Sequence, residues 1–255
     1  FIAKSDPAAQ WTGAHKGHAF FAYSTNYLID LKASIIMDVE PTRAIRQAEV
    51  GATKTMLDRV DERFGITPER LAADSAYGSG EMLDWIVNKK HIAPHIPVFD
   101  RSQRGDDTFS RSDFRYDPED DEYNCPAGKR LTTRGTVVNN GTTILYRASK
   151  YDCSTCPLKP RCCPKEPVRK VPRSIHEAAR DVARDIATTD AYVESRRERK
   201  KIEMLFAHLK RILRMGRLRL RGPCGARDEF TLAAIAQNLR KLAKLIPMPQ
   251  PTMAA

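Results

Sequence analysis

Arg199, Glu203 and Lys210 lie four and seven residues apart in a stretch whose apolar residues keep a helical period. Ile202, Leu205, Phe206, Leu209, Ile212 and Leu213 recur at the spacing of one buried helix face. The three charged residues therefore align as a second line beside that face. One acid between two bases, followed by a dense arginine run, suits phosphate chemistry. A second acid, Asp74, closes the short apolar run Arg70-Leu71-Ala72-Ala73, read as a strand. Carboxylates at a strand end and on a helix packed against that sheet can converge on one point. With a third acid they would hold two Mg²⁺ ions about 3.5–4 Å apart for in-line phosphoryl transfer. Mg²⁺ keeps several waters and needs few protein carboxylates, so sparse acids in a basic surround are chemically sensible.

Each of these residues also has an ordinary reading. Asp74 alone is a strand-end turn acid. Glu203 alone is a helix salt-bridge partner of Arg199, worth roughly 0.2–0.5 kcal/mol. Arg199 and Lys210 are then solvated charges, and Tyr77 divides evenly between packing and stacking near a DNA end.

The elements that would position these residues follow from periodicity and turn chemistry. His18–Val39 reads as a hairpin turning at Asp30-Leu31-Lys32 and ended by Pro41. Residues 42–64 carry a helical stripe of Ile45, Ala48, Ala52, Met56, Val60 and Phe64, closed by Gly65. After the strand ending at Asp74 come a loop over residues 75–80, a helix over 81–90 and an edge strand over 91–98. Residues 100–173 change composition, with short strands around 132–138 and 143–148 and no helical stripe before Ser174. Ser174-Ile175-His176-Glu177 reads as a capping box opening a helix to about Thr188. The charged helix then spans about 191–215. A last amphipathic helix spans 228–245, with Leu232, Ile235, Ala236, Leu239, Leu242 and the neighbourhood of Ile246 inward.

Lysine and arginine number 43 against 32 acids in 255 residues, a net charge of +11 that favours a polyanionic partner. The excess is clustered: between Ala191 and Gly222 eight Arg and three Lys face three Glu. That is a nucleic-acid footprint rather than a general solubility device. Arg217, Arg219 and Arg221 alternate with Leu218 and Leu220, as in an extended segment laid along a phosphate backbone. No apolar run approaches a membrane span, and no segment reads as a signal peptide. Five of the six cysteines fall within residues 125–163. Cys125, Cys153, Cys156 and Cys162 supply enough thiolates for a closed tetrahedral Zn²⁺ site, with Cys163 competing for a place. Reduced structural thiols are the alternative.

Taken together, these segments resemble bacterial insertion-sequence DDE transposases. Ala72-Ala73-Asp74-Ser75-Ala76-Tyr77-Gly78-Ser79 is similar to the family's second-Asp motif. Arg199, Glu203 and Lys210 resemble the Arg-Glu-Lys part of its Tyr-Arg-Glu-Lys signature, and Leu218–Gly222 the stretch after it. Arg196 stands at the signature tyrosine, with Tyr192 one turn away. Cys125-Pro-Ala-Gly-Lys129, Tyr146-Arg-Ala-Ser149 and Cys153-Ser-Thr-Cys-Pro157 resemble the cysteine-bearing insert of one branch.

The resemblance implies an α/β, ribonuclease-H-like mixed sheet flanked by helices, with that insert between the last strand and the Glu-bearing helix. It implies core segments at 1–99 and 174–246, the insert at 100–173 and a disordered tail at 247–255. It further implies catalytic, metal-holding Asp74 and Glu203 with Mg²⁺ or Mn²⁺, and structural Zn²⁺ in the insert. Arg199, Lys210, Arg217, Arg219, Arg221 and Tyr77 would contact double-stranded DNA, at transposon ends and target. A homodimer on DNA, in the cytoplasm and at the nucleoid, completes the expectation. The expected chemistry is cleavage at the element ends, then attack of the freed 3′-hydroxyl on target DNA. The family's first Asp has no counterpart strand here, and the chain opens on Phe1 rather than Met. It therefore reads as a C-terminal portion, inactive or severely weakened alone. Rival readings are a non-catalytic DNA-binding module with a zinc-like insert, and a metal-dependent nuclease without strand transfer.

Overall fold

The computed structural model describes residues 1–13, 17–100 and 105–246, so the tail expected at 247–255 lies outside the described residues. In chain order the elements are β1 (Gln10–Gly13), β2 (Ala19–Asp30), β3 (Ile35–Arg43), α1 (Arg46–Phe64), β4 (Arg70–Ala72), α2 (Gly80–Asp84) and β5 (Ala93–His95). There follow β6 (Arg115–Asp117), β7 (Glu122–Asn124), β8 (Arg130–Thr132), β9 (Val137–Val138), β10 (Thr143–Ala148), α3 (Lys150–Ser154) and α4 (Lys159–Cys162). The last are β11 (Lys170–Ser174), α5 (Glu177–Ile186), α6 (Asp190–Arg211) and α7 (Gly222–Leu245). This is a mixed α/β chain with antiparallel sheets, compatible with a ribonuclease-H-like fold. It forms two compact units, Phe1–Ala76 with Thr188–Ala255, and Tyr77–Ala187.

The first unit is built on the antiparallel sheet β1-β2-β3. The expected hairpin forms, and the Asp30 carboxylate caps its turn by accepting the Lys32 and Ala33 N–H groups. Pro41 does not end it: the strand runs on to Arg43, with Pro41 opposite Thr25. β3 is the last strand of its sheet, where a missing N–H is tolerated. The following helix accordingly starts at Arg46 rather than 42, burying Ala52, Met56 and Val60 but leaving Ile45 and Phe64 exposed. Gly65, at φ 62°, closes it as expected.

Helices cover both faces of this sheet. Arg59 of α1 bonds Asp38 Oδ2 at 2.8 Å and pairs with Glu40 at 2.6 Å, so those two residues mark one face of β3. Val39 between them points the opposite way. It packs into a core of Ile36, Leu205, Leu209, Ala233 and Ala234 contributed by β3, α6 and α7, with Tyr27 stacked on Phe206.

The orientation of α7 corrects the sequence reading. Its buried face is Gly225, Ala226, Phe230, Ala233, Ala234 and Gln237, whereas Leu232, Ile235, Ala236, Leu239, Leu242 and Ile246 point outward. Small side chains allow the helix to approach the β2–β3 hairpin closely, and Asn238 then bonds both the N–H and the C=O of Ile36 at 2.8 Å. A row of leucines on that side would hold the backbone away. The helix also begins at Gly222, earlier than expected, and α6 stops at Arg211, short of 215.

In the second unit a curled antiparallel sheet runs β11-β10-β8-β7-β6, with β9 on β10. Its core is Phe114, Tyr123, Leu131, Tyr146, Val171 and three cysteines. Asp121 accepts hydrogen bonds from Tyr116 and Tyr146, and the Arg173 guanidinium lies 3.6 Å from the Tyr116 ring centre. Two short helices, α3 and α4, do precede Ser174, each too brief to show a stripe.

The expected capping box at Ser174 is not formed. Ser174 ends β11, and its hydroxyl accepts the His176 N–H. Glu177 instead sits almost fully buried at the start of α5, ion-paired with Arg111 at 2.5 Å, Arg184 at 2.9 Å and Arg180 at 3.2 Å. Burial works against its charge, but Arg111 and the other two guanidiniums outweigh it and hold its carboxyl below the usual range. Asp100 bridges Arg111 and Arg184 from outside. A depressed carboxylate contributes stability above its unfolded pKa and loses it as pH falls through the folded value. Glu177→Gln should therefore cost about 3 kcal/mol at neutral pH, by leaving three arginines short of their counter-charge. The difference from wild type, read by urea unfolding, should shrink as pH is lowered below about 4.

Candidate nucleic-acid interface

Asp74 sits two residues beyond β4, exposed, and its Oδ1 accepts the Ala76 N–H at 2.8 Å. The bond fixes the carboxylate over a single tight turn, Ser75–Tyr77. β4 packs on α6, and Arg70 pairs with Glu198 at 2.9 Å with Glu198 largely buried. That ion pair docks the strand carrying Asp74 against the helix carrying Glu203. Neither its strand nor its helix partner stood out in the sequence, because an Arg and a Glu 128 residues apart carry no local signal.

The helix α6 is capped by Thr189, whose hydroxyl accepts the Tyr192 N–H, and Tyr192 is buried in its first turn. Leu205 and Leu209 form its buried stripe with Ile202 and Phe206 half-buried, while Ile212 lies beyond the helix end and is exposed. Arg199 is half-buried, and Glu203 and Lys210 are exposed beside the stripe. Asp74 and Glu203 thus lie in the same unit on elements that touch. Among the described residues, no three His, Cys, Asp or Glu side chains are arranged to hold a metal ion. Tyr77 is half-buried and follows Asp74 by three residues.

The arginine run leaves α6 through Arg214, at φ 55°, and becomes an exposed strap from Arg217 to Arg221. Two carboxylates that sequence reasoning passed over hold this strap by its backbone. Glu229 Oε1 accepts the N–H groups of Arg219 and Leu220, each at 2.6 Å. Asp6 Oδ2 accepts the Gly222 N–H at 2.9 Å, while its Oδ1 accepts the Tyr23 hydroxyl at 2.8 Å. The Gly222 hydrogen bond is the main reason the Asp6 carboxyl is held below its ordinary range. Gly225 lies under the strap so closely that a Cβ there would stand 2.7 Å from Leu220 Cβ. With the backbone bound inward, the side chains of Arg217, Arg219 and Arg221 are all exposed.

The cysteines of the second unit are not arranged as a ready ligand set. Cys125, Cys153, Cys156, Cys162 and Cys163 line one apolar cavity of about 30 Å³ with Lys129, Lys159 and Arg169, and all are free thiols. The Cys125 sulfur accepts the Lys129 N–H at 3.3 Å. Burial, and then the neighbouring Cys163, push the Cys162 thiol up to about 12. Cys224 lies apart and exposed.

Residues 124–243 match a family model described as "Transposase DDE domain". No curated protein and no solved structure matches the chain. No described helix is long and apolar enough to cross a membrane.

The anchoring of the strap is directly testable. Glu229→Gln should speed amide exchange at Arg219 and Leu220 by about tenfold, equivalent to losing on the order of 1 kcal/mol of hydrogen bonding. Exchange in the α7 interior, at Ala233 and Ala234, should be unchanged.

Proposed function

We propose that this chain carries the C-terminal part of the catalytic core of an insertion-sequence transposase, a reading supported by the match of residues 124–243 to a transposase DDE domain family model. The reaction is metal-dependent DNA cleavage at the element ends followed by strand transfer. The observation that carries this reading is the docking of β4 on α6, which puts Asp74 and Glu203 on adjoining elements of one unit.

Asp74 and Glu203 are the proposed metal-holding carboxylates. Both are exposed hard oxygen donors, and the Ala76 bond presets the orientation of Asp74, which suits Mg²⁺ or Mn²⁺. A divalent ion held there would neutralise charge building on the attacked phosphodiester. Arg199 and Lys210 flank Glu203 along α6, where they would orient its carboxylate and hold a phosphate beside it. Arg217, Arg219 and Arg221 would grip the DNA backbone from the strap, and Tyr77 would stack on a base. A closed zinc site on Cys125, Cys153, Cys156 and Cys162 is proposed as a structural element of the cysteine-bearing insert. It requires those sulfurs to close on their shared cavity, and metal analysis of the purified chain would show one zinc per molecule.

In the protein as encoded with its element, Asp74→Asn and Glu203→Gln should each lower end cleavage by on the order of 10³-fold while leaving duplex affinity within about twofold. Unchanged cleavage would favour the DNA-binding module without catalysis; hydrolysed ends without joined target would favour a nuclease. Replacing Arg217, Arg219 and Arg221 together by alanine should weaken duplex binding. The slope of log affinity against log salt should fall by about 2.7, from three lost phosphate contacts.

A further inference from the structure

The second unit carries a charge excess that its own fold does not use. Between Cys125 and Arg173 eleven Lys and Arg face two acids, a local +9 in a chain whose whole net charge is +11. Arg169 and Arg173 are consumed inside the unit, on the carbonyls of Cys162 and Phe109 and on Tyr123 and Asp181. All but one of the other nine are exposed. Strand register then sorts them. Leu131, Tyr146 and Val171 point into the core of the unit, so Thr132, Arg147 and Lys170, which alternate with them, form one row across the outer face of β8, β10 and β11. All three are exposed. Leu145 and Pro172 pair on the same face beside that row. Arg134 follows β8 by two residues, and Tyr151, 86% exposed, follows β10 by three. Among the described residues neither Arg134 nor Arg147 has an ion-pair partner, and Lys170 meets Glu166 at 3.4 Å.

We infer that this outer face binds single-stranded nucleic acid, at a site built entirely from the second unit. Charge supplies the affinity and places it on one half of the sheet. Residues 115–124, which make β6, β7 and their turn, hold five acids against one arginine. In the strand order β10 is three spacings from β6, roughly 14 Å along the sheet. That exceeds the Debye length of about 8 Å at physiological salt, so the acidic hairpin does not neutralise the basic row. Like charges crowded on half a sheet weaken the fold by self-repulsion, which a bound polyanion relieves. The apolar neighbours select a single strand. Unstacked bases can lie on Leu145 and Pro172 or stack on Tyr151, while phosphates sit on Arg134, Arg147 and Lys170. Bases inside a duplex are stacked on one another and would leave those three apolar side chains without a role. The inference goes beyond the proposed end cleavage and needs neither Asp74, Glu203 nor the arginine strap.

The test is fluorescence anisotropy of the full chain, without metal, on labelled oligothymidylate and oligouridylate strands of about 15 nucleotides. Replacing Arg134, Arg147 and Lys170 together by alanine should weaken binding to both strands. The slope of log affinity against log salt should fall by about 2.1, from three lost contacts to a single strand. Tyr151→Ala should weaken binding about tenfold, and Tyr151→Phe should bind as wild type does. All four positions are exposed, so circular dichroism and melting temperature should not change. Replacing Arg217, Arg219 and Arg221 by alanine should leave single-strand affinity within about twofold, which separates this site from the strap. A wild-type chain that ignores both strands, or a triple sheet variant that binds them as tightly as wild type, would overturn the inference. So would an unlabelled duplex that displaces the labelled strand from the strap variant as well as an unlabelled strand does.

Discussion

The close approach of α7 to the β2–β3 hairpin is the constraint on which the first unit rests. Ala226, Ala233 and Ala234 present so little bulk that the Asn238 amide can reach both backbone groups of Ile36. The Tyr27 hydroxyl likewise reaches the Phe230 carbonyl, at 3.1 Å. Leu205 and Leu209 of α6 fill the space beside them. Once α7 is fixed, its first turns fix the arginine strap, and its larger aliphatic side chains have nowhere to go but outward. Burial is decided here by the distance two backbones must keep, and not by the hydrophobicity of each residue.

Carboxylates serve two purposes in this chain. Glu177 neutralises cations in a nearly dry setting, where losing its charge would strand three guanidiniums. Asp6 and Glu229 accept backbone N–H groups and so shape a segment rather than neutralise it. The strap keeps its positive charge because its anchors bind the main chain and leave the arginine side chains to solvent. A net charge of +11 thereby acquires a definite geometry on one segment.

What the sequence made legible was local. The Asp30 turn, the Gly65 helix end, the strand into Asp74 and the long charged helix each announce themselves within a few residues, through turn chemistry or period. The misreadings came from interactions between distant residues. Ser174 and Glu177 have the spacing of a capping box, but β10 claims Ser174 as a strand residue, and arginines 66 residues before Glu177 and three and seven after it claim the acid. The strands of three residues around Tyr116, Tyr123 and Leu131 are too short for alternation to show. The apolar period of α7 was correctly seen as helical but assigned to the wrong side, because a period gives a face without saying what lies against it. Motif order singles out Asp74 and Glu203 as candidates; the Arg70–Glu198 ion pair that docks β4 on α6 leaves no mark in the sequence.

The treatment of β3 has a consequence for how copies of the chain can meet. An end strand ordinarily offers a ladder of unpaired donors and acceptors that another chain can extend. Here Asn238 occupies both backbone groups of Ile36, Arg59 takes the carbonyl of Val39, and Pro41 has no N–H to offer. The strand is thus a poor template for sheet growth. Strand addition along this edge of β3 is thereby discouraged by the side chains and the proline of the unit itself.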